Sequence, residues 1–332
     1  MQILWSIGLT LCTLVCAAQN KDDAKQAGDL RVQVTEDSIQ IDTIALQAVI
    51  RKTGYVSGIA RGSFLDKKSG AREAGYGLHI MDFLMAPGWR DDGYPRDHKL
   101  HGRLPKHYVE GPQICTQARK LDAEVIQAKD FVAVRLRFRF TQPAKGLKAG
   151  SLWEQTLVFQ PGVRYVLSSE RITSVNDVED LFYRVDMPGH IRHKEGDTFS
   201  QVYLSYHGLI QASAFKEDFA PDARYLYQRK PEAVPQRMIR AYQLKVAGKP
   251  GPWLAGMTLD PTEVSEAWCH QRGYVCMIQE LHQKHVKAGE SFGAAYVIGF
   301  FDSIADMEAI YDRYKGKKRI SINNGKFRLA ND

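Results

Sequence analysis

The chain has 332 residues, of which 44% are hydrophobic, and it carries a net charge of +7. This is ample apolar material for one large core or two small ones, and neither a repeat of solenoid length nor a low-complexity linker interrupts it. The positive charge favours an anionic partner such as an acidic polysaccharide, a membrane surface or a nucleic acid. Because no nucleic-acid-binding motif is present, we expect an anionic glycan as the partner and no nucleic acid.

The amino-terminal residues 1–18 are apolar and uncharged, and polar residues follow them. This pattern is typical of a secretory signal peptide, cleaved here near Ala17 or Ala18. The run is short for a membrane span, although an uncleaved anchor or a lipid-modified Cys16 is an alternative. We therefore expect a secreted or periplasmic protein without stable membrane insertion, in which residues 19–332 form a single β-sandwich domain.

Three cysteines remain after the signal peptide: Cys115, Cys269 and Cys276. In an oxidising compartment one pair can form a disulfide and leave one thiol over. A two-residue Arg272-Gly273 turn would place Cys269 and Cys276 opposite each other in a hairpin. A disulfide between these two residues and two buried free thiols are both compatible with the sequence.

The first third of the chain predicts short strands and one long loop. Alternating residues over 30–50 predict a hairpin, and residues 76–84 predict a buried strand. Regular periodicity is lost from 86 to 113, where aromatic, histidine and acidic residues are concentrated. Loops of this length inside compact domains are usually functional or disordered, and this composition favours a functional loop.

One strand, Val132–Phe140, alternates most clearly. Its valine, leucine and phenylalanine side chains share one face, and Arg135, Arg137 and Arg139 share the other. Three guanidinium groups cannot be buried without partners. The arginines either form a solvated face paired with acidic residues of neighbouring strands or form a platform that grips carboxylates or sulfates.

The central segment 153–197 predicts three antiparallel strands: Trp153–Phe159, Arg164–Thr173 and Leu181–Met187. The third strand leads into residues 188–193, which we expect to be a loop rich in ionisable groups. Polar loops carried by a rigid sheet are frequent functional sites.

The last part of the chain predicts further strands at 201–207, 239–246 and 253–259, and a central strand at Ala294–Phe301, which is apolar on both faces. A helix is predicted over Ser303–Tyr314, with a capping-box-like start at Ser303 and Asp306, and we expect it to pack against the edge of the sheet. The fold class is mainly β, a large twisted antiparallel β-sandwich with few short helices.

No strong catalytic motif is present, so candidate site residues come from histidines, arginines and tyrosines near strand ends. His190 and His193 have His-x-x-His spacing, with Asp186 upstream, which suits proton transfer or a metal pair. No further ligand cluster stands out, so we favour proton transfer and expect no metal and no cofactor. The alternative is a pair of solvent-facing loop histidines.

Two other segments carry candidate chemistry. Around residue 107, a histidine or tyrosine beside a carboxylate can act as a general base, unless the segment is only a structural anchor. At the tip of the later hairpin, aromatic rings can stack on a sugar while a histidine and an arginine supply a proton and a positive charge; an ordinary packed hairpin is the alternative. The residues concerned are His107, Tyr108 and Glu110 in the first segment, and Trp268, His270, Arg272 and Tyr274 in the second.

The strand rhythm over Thr43–Asp302, including RKTGYVSGIARGSFLDKKSG, SLWEQTLVFQPGVRYVLSSERIT and AAYVIGFF, resembles the β-sandwich of galactose-mutarotase-like proteins. That superfamily includes sugar epimerases and the sandwich domains of many polysaccharide lyases. The resemblance implies a carbohydrate site on a concave sheet face, built from histidine, arginine and aromatic residues. It is a resemblance of strand rhythm only and assigns no individual residue.

These observations predict a carbohydrate-active enzyme for an acidic glycan, with β-elimination at a uronic acid as the preferred reaction. Elimination needs a cation at the carboxylate, a base for the C5 proton and an acid for the leaving oxygen. A hydrolase or epimerase that uses a pair such as His190 and Glu110 is one alternative. A non-catalytic glycan-binding protein is another, and its surface would consist of Trp89, Trp268 and the arginine stripe formed by Arg135, Arg137 and Arg139. Candidate cations are Arg135, Arg171 and Arg272, and candidate proton-transfer groups are His107, Tyr108, His190 and His270.

Overall fold

The computed structural model describes residues 30–56, 58–73, 75–88, 106–194, 196–219 and 224–331. The predicted signal peptide and Trp89 lie outside the described residues. Within these ranges two large antiparallel sheets, of nine and eight strands, are accompanied by three small ones. The prediction of a mainly β fold built from large antiparallel sheets is confirmed.

The nine-stranded sheet contains the strands whose alternation is clearest in the sequence. Its inward face carries apolar side chains such as Val134 and Leu136, and the central strand predicted near residue 294 lies at its middle, as expected for a segment that is apolar on both faces. With strands numbered in chain order, its spatial order is β10 (Asp122–Gln127), β11 (Val132–Arg139), β13 (Leu152–Phe159), β14 (Tyr165–Thr173), β23 (Ser291–Phe301), β20 (Lys249–Thr258), β19 (Met238–Val246), β16 (Phe199–Leu204) and β17 (Gly208–Gln211).

The eight-stranded sheet carries most of the polar residues discussed below. The predicted succession of three central strands is confirmed, but the third belongs to this sheet and not to the sheet of the first two, so the chain crosses the sandwich between them. Its order is β12 (Gln142–Pro143), β8 (Lys106–Gly111), β7 (Gly77–Pro87), β15 (Val178–Arg192), β22 (Tyr274–Val286), β21 (Val264–Gln271) and β18 (Tyr227–Gln228), with β5 (Ile59–Ala60) paired to β7.

Smaller elements complete the described chain. No helix in the described ranges is both long and apolar enough to cross a membrane. The small sheets are β1 (Leu30–Val34), β2 (Ser38–Thr43), β3 (Leu46–Arg51) and β6 (Leu65–Asp66); β4 (Thr53–Gly54) with β9 (Arg119–Lys120); and β24 (Arg319–Asn323) with β25 (Lys326–Ala330). The helical elements are α1 (Ile304–Tyr314), a π-helical turn at Ile114–Ala118 and 3-10 turns at Ala212–Phe215, Pro231–Ala233 and Pro261–Glu263.

The main core lies between the two large sheets, and a second apolar layer covers the outer face of the nine-stranded sheet. Helix α1 begins after Ser303, whose hydroxyl accepts a hydrogen bond from the Asp306 N–H at 3.1 Å, as the capping pattern predicts. The expectation that this helix packs at the sheet edge is wrong. Its buried residues Met307 and Tyr311 pack on the central strands β20 and β23, where alanines such as Ala255 and Ala295 leave room for a helix.

Strand β15 continues beyond Met187, where the sequence predicted a loop. It runs to Arg192 through a bulge, because its register with β7 and β22 shifts between Asp186 and His190. Gly189 has φ +148°, and a Cβ there would lie 2.1 Å from the Gly77 carbonyl oxygen. The bulge therefore needs glycine. Asp186 and His190 share a face of the sheet by alternation, and the bulge brings them into contact, because a step of four residues along β15 matches a step of two along β22.

The hairpin between β21 and β22 differs from its prediction by one residue. Cys269 pairs with Met277, and His270 pairs with Cys276, because three residues and not two connect the paired positions Gln271 and Val275. Cys269 therefore faces the central core and Cys276 faces outward beside Trp268. The two cysteines are not opposite each other, and both, like Cys115, are buried free thiols.

Candidate active site

A pocket of about 440 Å³ lies on the outer face of the eight-stranded sheet. Residues of β15 show why this face is polar: Val185, Met187 and Ile191 enter the central core, so Arg184, Asp186 and His190 face the other way. The lining residues are Tyr55, Tyr76, Asp82, Phe83, Tyr108, Gln113, Cys115, Thr116, Arg184, Asp186, His190, His270, Arg272, Tyr274, Cys276 and Ile278.

Asp186 and His190, which both line the pocket, form an ion pair. His190 Nε2 hydrogen-bonds Asp186 Oδ2 across the bulge. Burial alone would lower the pKa of His190, but Asp186, with a smaller effect from Asp82, raises it above its usual value. The other carboxylate oxygen, Asp186 Oδ1, is buried and has no hydrogen-bond partner among the described residues. A positive charge on His190 is therefore stabilised at this place.

A second carboxyl group, Asp82 of β7, lies in the same wall. It accepts a hydrogen bond from Gln113 Nε2 at 2.7 Å and faces the Cys115 thiol at 3.5 Å. Burial, and then repulsion from Asp186, raise the pKa of Asp82 to about 6. Two carboxyl groups thus share one wall, and the electrostatic cost of ionising both favours a proton on one of them.

Tyr274 lies at the centre of an aromatic group. Its ring centroid is 5.2 Å from that of His190 in a stacked arrangement, 6.1 Å from that of His270 and 5.0 Å from that of Tyr76. The Arg61 guanidinium covers the Tyr76 ring at 5.4 Å. Burial, and then Cys276 and Asp186, raise the pKa of Tyr274 to about 12, so its hydroxyl stays protonated and can donate a hydrogen bond.

Two arginines of the pocket have different surroundings. Arg272 is exposed at the hairpin tip and makes no ion pair with any described residue. Arg184 is buried, with Nη2 2.6 Å from Glu280 Oε1 and its guanidinium 5.2 Å from the Trp268 ring centroid. Lys106 Nζ also binds Glu280, at 2.7 Å. Arg184 is therefore committed to a buried charge network, and Arg272 is available to a ligand.

The structure brings together five of the residues proposed from the sequence and places the other described ones elsewhere. Tyr108, His190, His270, Arg272 and Tyr274 line the pocket. The lining residues do not include His107, whose Nδ1 lies 3.1 Å from the Gly88 carbonyl oxygen. Nor do they include Glu110, which accepts hydrogen bonds from Gly150, Ser151 and Asn176, or His193, which stacks on Phe199 at 3.7 Å.

The remaining proposed residues are also outside the pocket. Trp268 is fully buried under Arg184. The four arginines Arg135, Arg137, Arg139 and Arg171 lie on the outer face of the nine-stranded sheet. Three of them bind Glu124 or Glu154, and Arg139 donates to the Gly150 carbonyl oxygen at 3.1 Å. This is the arrangement of a solvated face paired with acidic neighbours.

Several residues of the pocket were not predicted from the sequence to be site residues. Asp82 and Arg184 lie within long strands whose burial pattern is continuous, and Tyr55, Tyr76 and Gln113 lie in irregular segments. A charged residue inside an otherwise apolar strand could have indicated them, since a buried charge requires a partner. Asp82 in GLHIMDFL and Arg184 in LFYRVDM both fit that description.

No protein-family profile matches this chain, and no curated protein sequence matches it. Solved structures do. The 4-alpha-glucanotransferase of Thermococcus litoralis is 10% identical with a TM-score of 0.42, over 84% of this chain and 41% of that one. The alpha-N-acetylgalactosaminidase of Bifidobacterium bifidum is 10% identical with a TM-score of 0.46, over 86% of this chain and 38% of that one. This chain therefore spans about two fifths of either protein.

A galactose mutarotase-related enzyme of Lactobacillus acidophilus is 11% identical with a TM-score of 0.40, over 81% of this chain and 99% of that one. A galactose mutarotase-related enzyme is thus among the solved structures to which this chain is similar.

Proposed function

We propose that this chain is an exported carbohydrate-active enzyme for an acidic glycan, and that it acts as a lyase by β-elimination at a uronic acid. One observation carries the proposal: the β21–β22 hairpin places His270, Arg272 and Tyr274 beside the Asp186–His190 pair in one pocket. A base, an acid and an unpaired cation are the groups that elimination requires.

Each step has a group in the pocket. Arg272 binds the uronate carboxylate and thereby makes the C5 proton more acidic. His270 removes that proton, the electrons of the C5–H bond form a C4=C5 double bond, and the C4–O bond breaks. The Tyr274 hydroxyl donates a proton to the departing oxygen. The reaction is redox-neutral, and positive charge at His190 stabilises the intermediate anion.

The aromatic group supports a sugar as the ligand. Carbohydrate rings present apolar C–H faces, and pockets that bind small molecules combine aromatic walls with a few convergent polar groups. Tyr76 and Tyr274 form such a wall, with Arg61 and Arg272 beside it. Cationic and aromatic groups together favour an acidic sugar over a neutral one.

The test is an ultraviolet absorbance assay of the purified chain against a panel of uronic-acid polysaccharides, which detects the unsaturated uronide. His270→Gln, Arg272→Gln and Tyr274→Phe should each lower the rate by about 100-fold or more. His285→Gln is the matched control, because His285 is exposed on β22 and pairs with Glu179 away from the pocket. No absorbance with any uronic-acid polymer would refute the lyase proposal.

A glycoside hydrolase is the second candidate, because the two carboxyl groups of Asp82 and Asp186 line the same pocket and glycoside hydrolysis uses such a pair. New reducing ends without ultraviolet absorbance would identify it, and a change in optical rotation of a free sugar would identify an epimerase. Glycan binding without any turnover would instead establish a binding protein.

A further inference from the structure

We propose that Asp186, His190 and Cys276 form a binding site for a divalent transition-metal ion, with Zn²⁺ as the ion that their donor atoms fit best. One ligand atom from each residue lies within 4.8 Å of the other two. The sequence showed only two of these groups close together, and the third comes from a strand more than eighty residues later.

The backbone places the three donors with little freedom. Asp186 and His190 lie on either side of the β15 bulge, and Cys276 of β22 is the direct cross-strand partner of His190. Residues directly opposite on paired strands have neighbouring Cβ atoms. The donors therefore belong to two central strands of the sheet, and rigid elements of this kind hold a metal site more accurately than loops do.

The donor atoms are available to an ion. Asp186 Oδ1 is buried and has no hydrogen-bond partner among the described residues, although buried carboxylate oxygens normally have one. Cys276 is a buried free thiol. His190 Nε2 already faces Asp186. An ion that binds both side chains therefore replaces the contact between them and breaks no ion pair with a third described residue.

The mixture of one carboxylate oxygen, one imidazole nitrogen and one sulfur selects the kind of ion. Ca²⁺ and Mg²⁺ prefer oxygen ligands only, whereas Zn²⁺ accepts all three donor types and commonly has three protein ligands at sites that keep an open position. Asp82 lines the same pocket, and the positive charge of Arg184 is balanced by Glu280. The open position would face the pocket, where a water molecule or a substrate oxygen can occupy it.

This site does not depend on the lyase proposal. If both hold, the metal ion replaces the proton of His190 as the positive charge beside the substrate. The site would also persist in a binding protein without catalysis, so its test uses readouts that need no substrate.

The experiment is a titration of the chelator-treated full chain with Zn²⁺ and with Co²⁺. We expect one ion per chain by elemental mass spectrometry, a higher thermal unfolding temperature with Zn²⁺, and a thiolate-to-Co²⁺ charge-transfer band. Cys276→Ala should abolish the band and weaken binding by more than about tenfold, since loss of an outer hydrogen bond to a ligand already costs 10–100-fold.

The matched control is Cys269→Ala, because Cys269 is equally buried on the same hairpin but faces the central core. Its titration should equal that of the parent chain. His190→Gln, read by the same mass spectrometry, covers the case in which Cys276→Ala fails to fold. A folded parent that binds neither ion, or a folded Cys276→Ala or His190→Gln variant that binds as the parent does, would overturn the proposal.

Discussion

Replacement of Gly189 by alanine tests whether the bulge of β15 is what places Asp186 and His190 in the pocket. Gly189 has φ +148°, and an added Cβ would lie 2.1 Å from the Gly77 carbonyl oxygen and 2.9 Å from the Leu78 Cα. These atoms belong to the backbone of the paired strand β7, so they cannot rotate away as a flexible side chain would. The two strands must separate locally or the substituted chain must unfold more easily.

The expected cost has two parts. A positive φ at a non-glycine residue costs about 1–3 kcal/mol, and overpacking a close contact costs about 1–3 kcal/mol more. The substitution Gly208→Ala measures the cost of the positive φ alone, because Gly208 has φ +106° and no atom lies within 4 Å of the position that an added Cβ would occupy. Gly189→Ala should therefore lower the free energy of unfolding by about 1–3 kcal/mol more than Gly208→Ala does.

Urea unfolding followed by tryptophan fluorescence measures both variants, since Trp153, Trp253 and Trp268 are buried in the two large sheets. Lyase activity, where the parent shows it, should fall in Gly189→Ala and not in Gly208→Ala, because only the first change moves His190. Equal destabilisation by the two substitutions would refute the argument that close approach at the bulge determines the site.

Three further predictions concern stability. Burial raises the pKa of Glu73 from 4.5 to about 6, so the stabilisation by its protonated form is present below pH 4.5 and is lost as the pH rises to about 6. Relative to the parent, the free energy of unfolding of Glu73→Gln should therefore rise by about 2 kcal/mol between acid and neutral pH. A parallel pH dependence of parent and variant would contradict this. Lys106→Met removes the ammonium group that both Glu266 and Glu280 bind and leaves Arg184 to balance Glu280. It should cost about 3–5 kcal/mol in urea unfolding, with part of the loss restored by adding Glu266→Gln; no restoration would argue against the charge network. Ser303→Ala removes the helix cap and should cost about 1 kcal/mol, whereas Ser321→Ala, a strand position, should change stability by less than about 0.5 kcal/mol.

Local pattern was sufficient for most of the strands. Alternation in β11 correctly indicated a half-polar strand, and uniform apolarity in β23 correctly indicated a central strand. Successive side chains of a strand point to opposite faces of the sheet, so the burial of each face can be read from every second residue. The helix and its cap were predicted for a similar reason, since hydrogen bonds at a helix start involve residues only three apart. Which strands pair was not predictable from such signals, because partners such as β14 and β23 are more than a hundred residues apart.

The candidate site was predictable only where its residues are neighbours in the sequence. His270, Arg272 and Tyr274 lie close together in one hairpin and were proposed together. Asp82 was not, because a single carboxylate in an apolar strand gains meaning only when a partner such as Gln113 is found beside it. The arginine stripe of β11 was ambiguous for the same reason, since the acidic residues that neutralise it come from other strands.

The sequence by itself determined the kinds of elements, the faces they bury and the types of polar groups that the protein carries, because these depend on residues within one turn or one strand. Tertiary structure alone decided which polar groups meet. The bulge at Gly189 shortened the separation between His190 and Asp186 along β15, and one extra residue in the hairpin connection turned Cys276 toward them and Cys269 away. In a sheet a shift of one residue reverses every side chain, so small changes of register, set by long-range packing, determined the composition of the pocket.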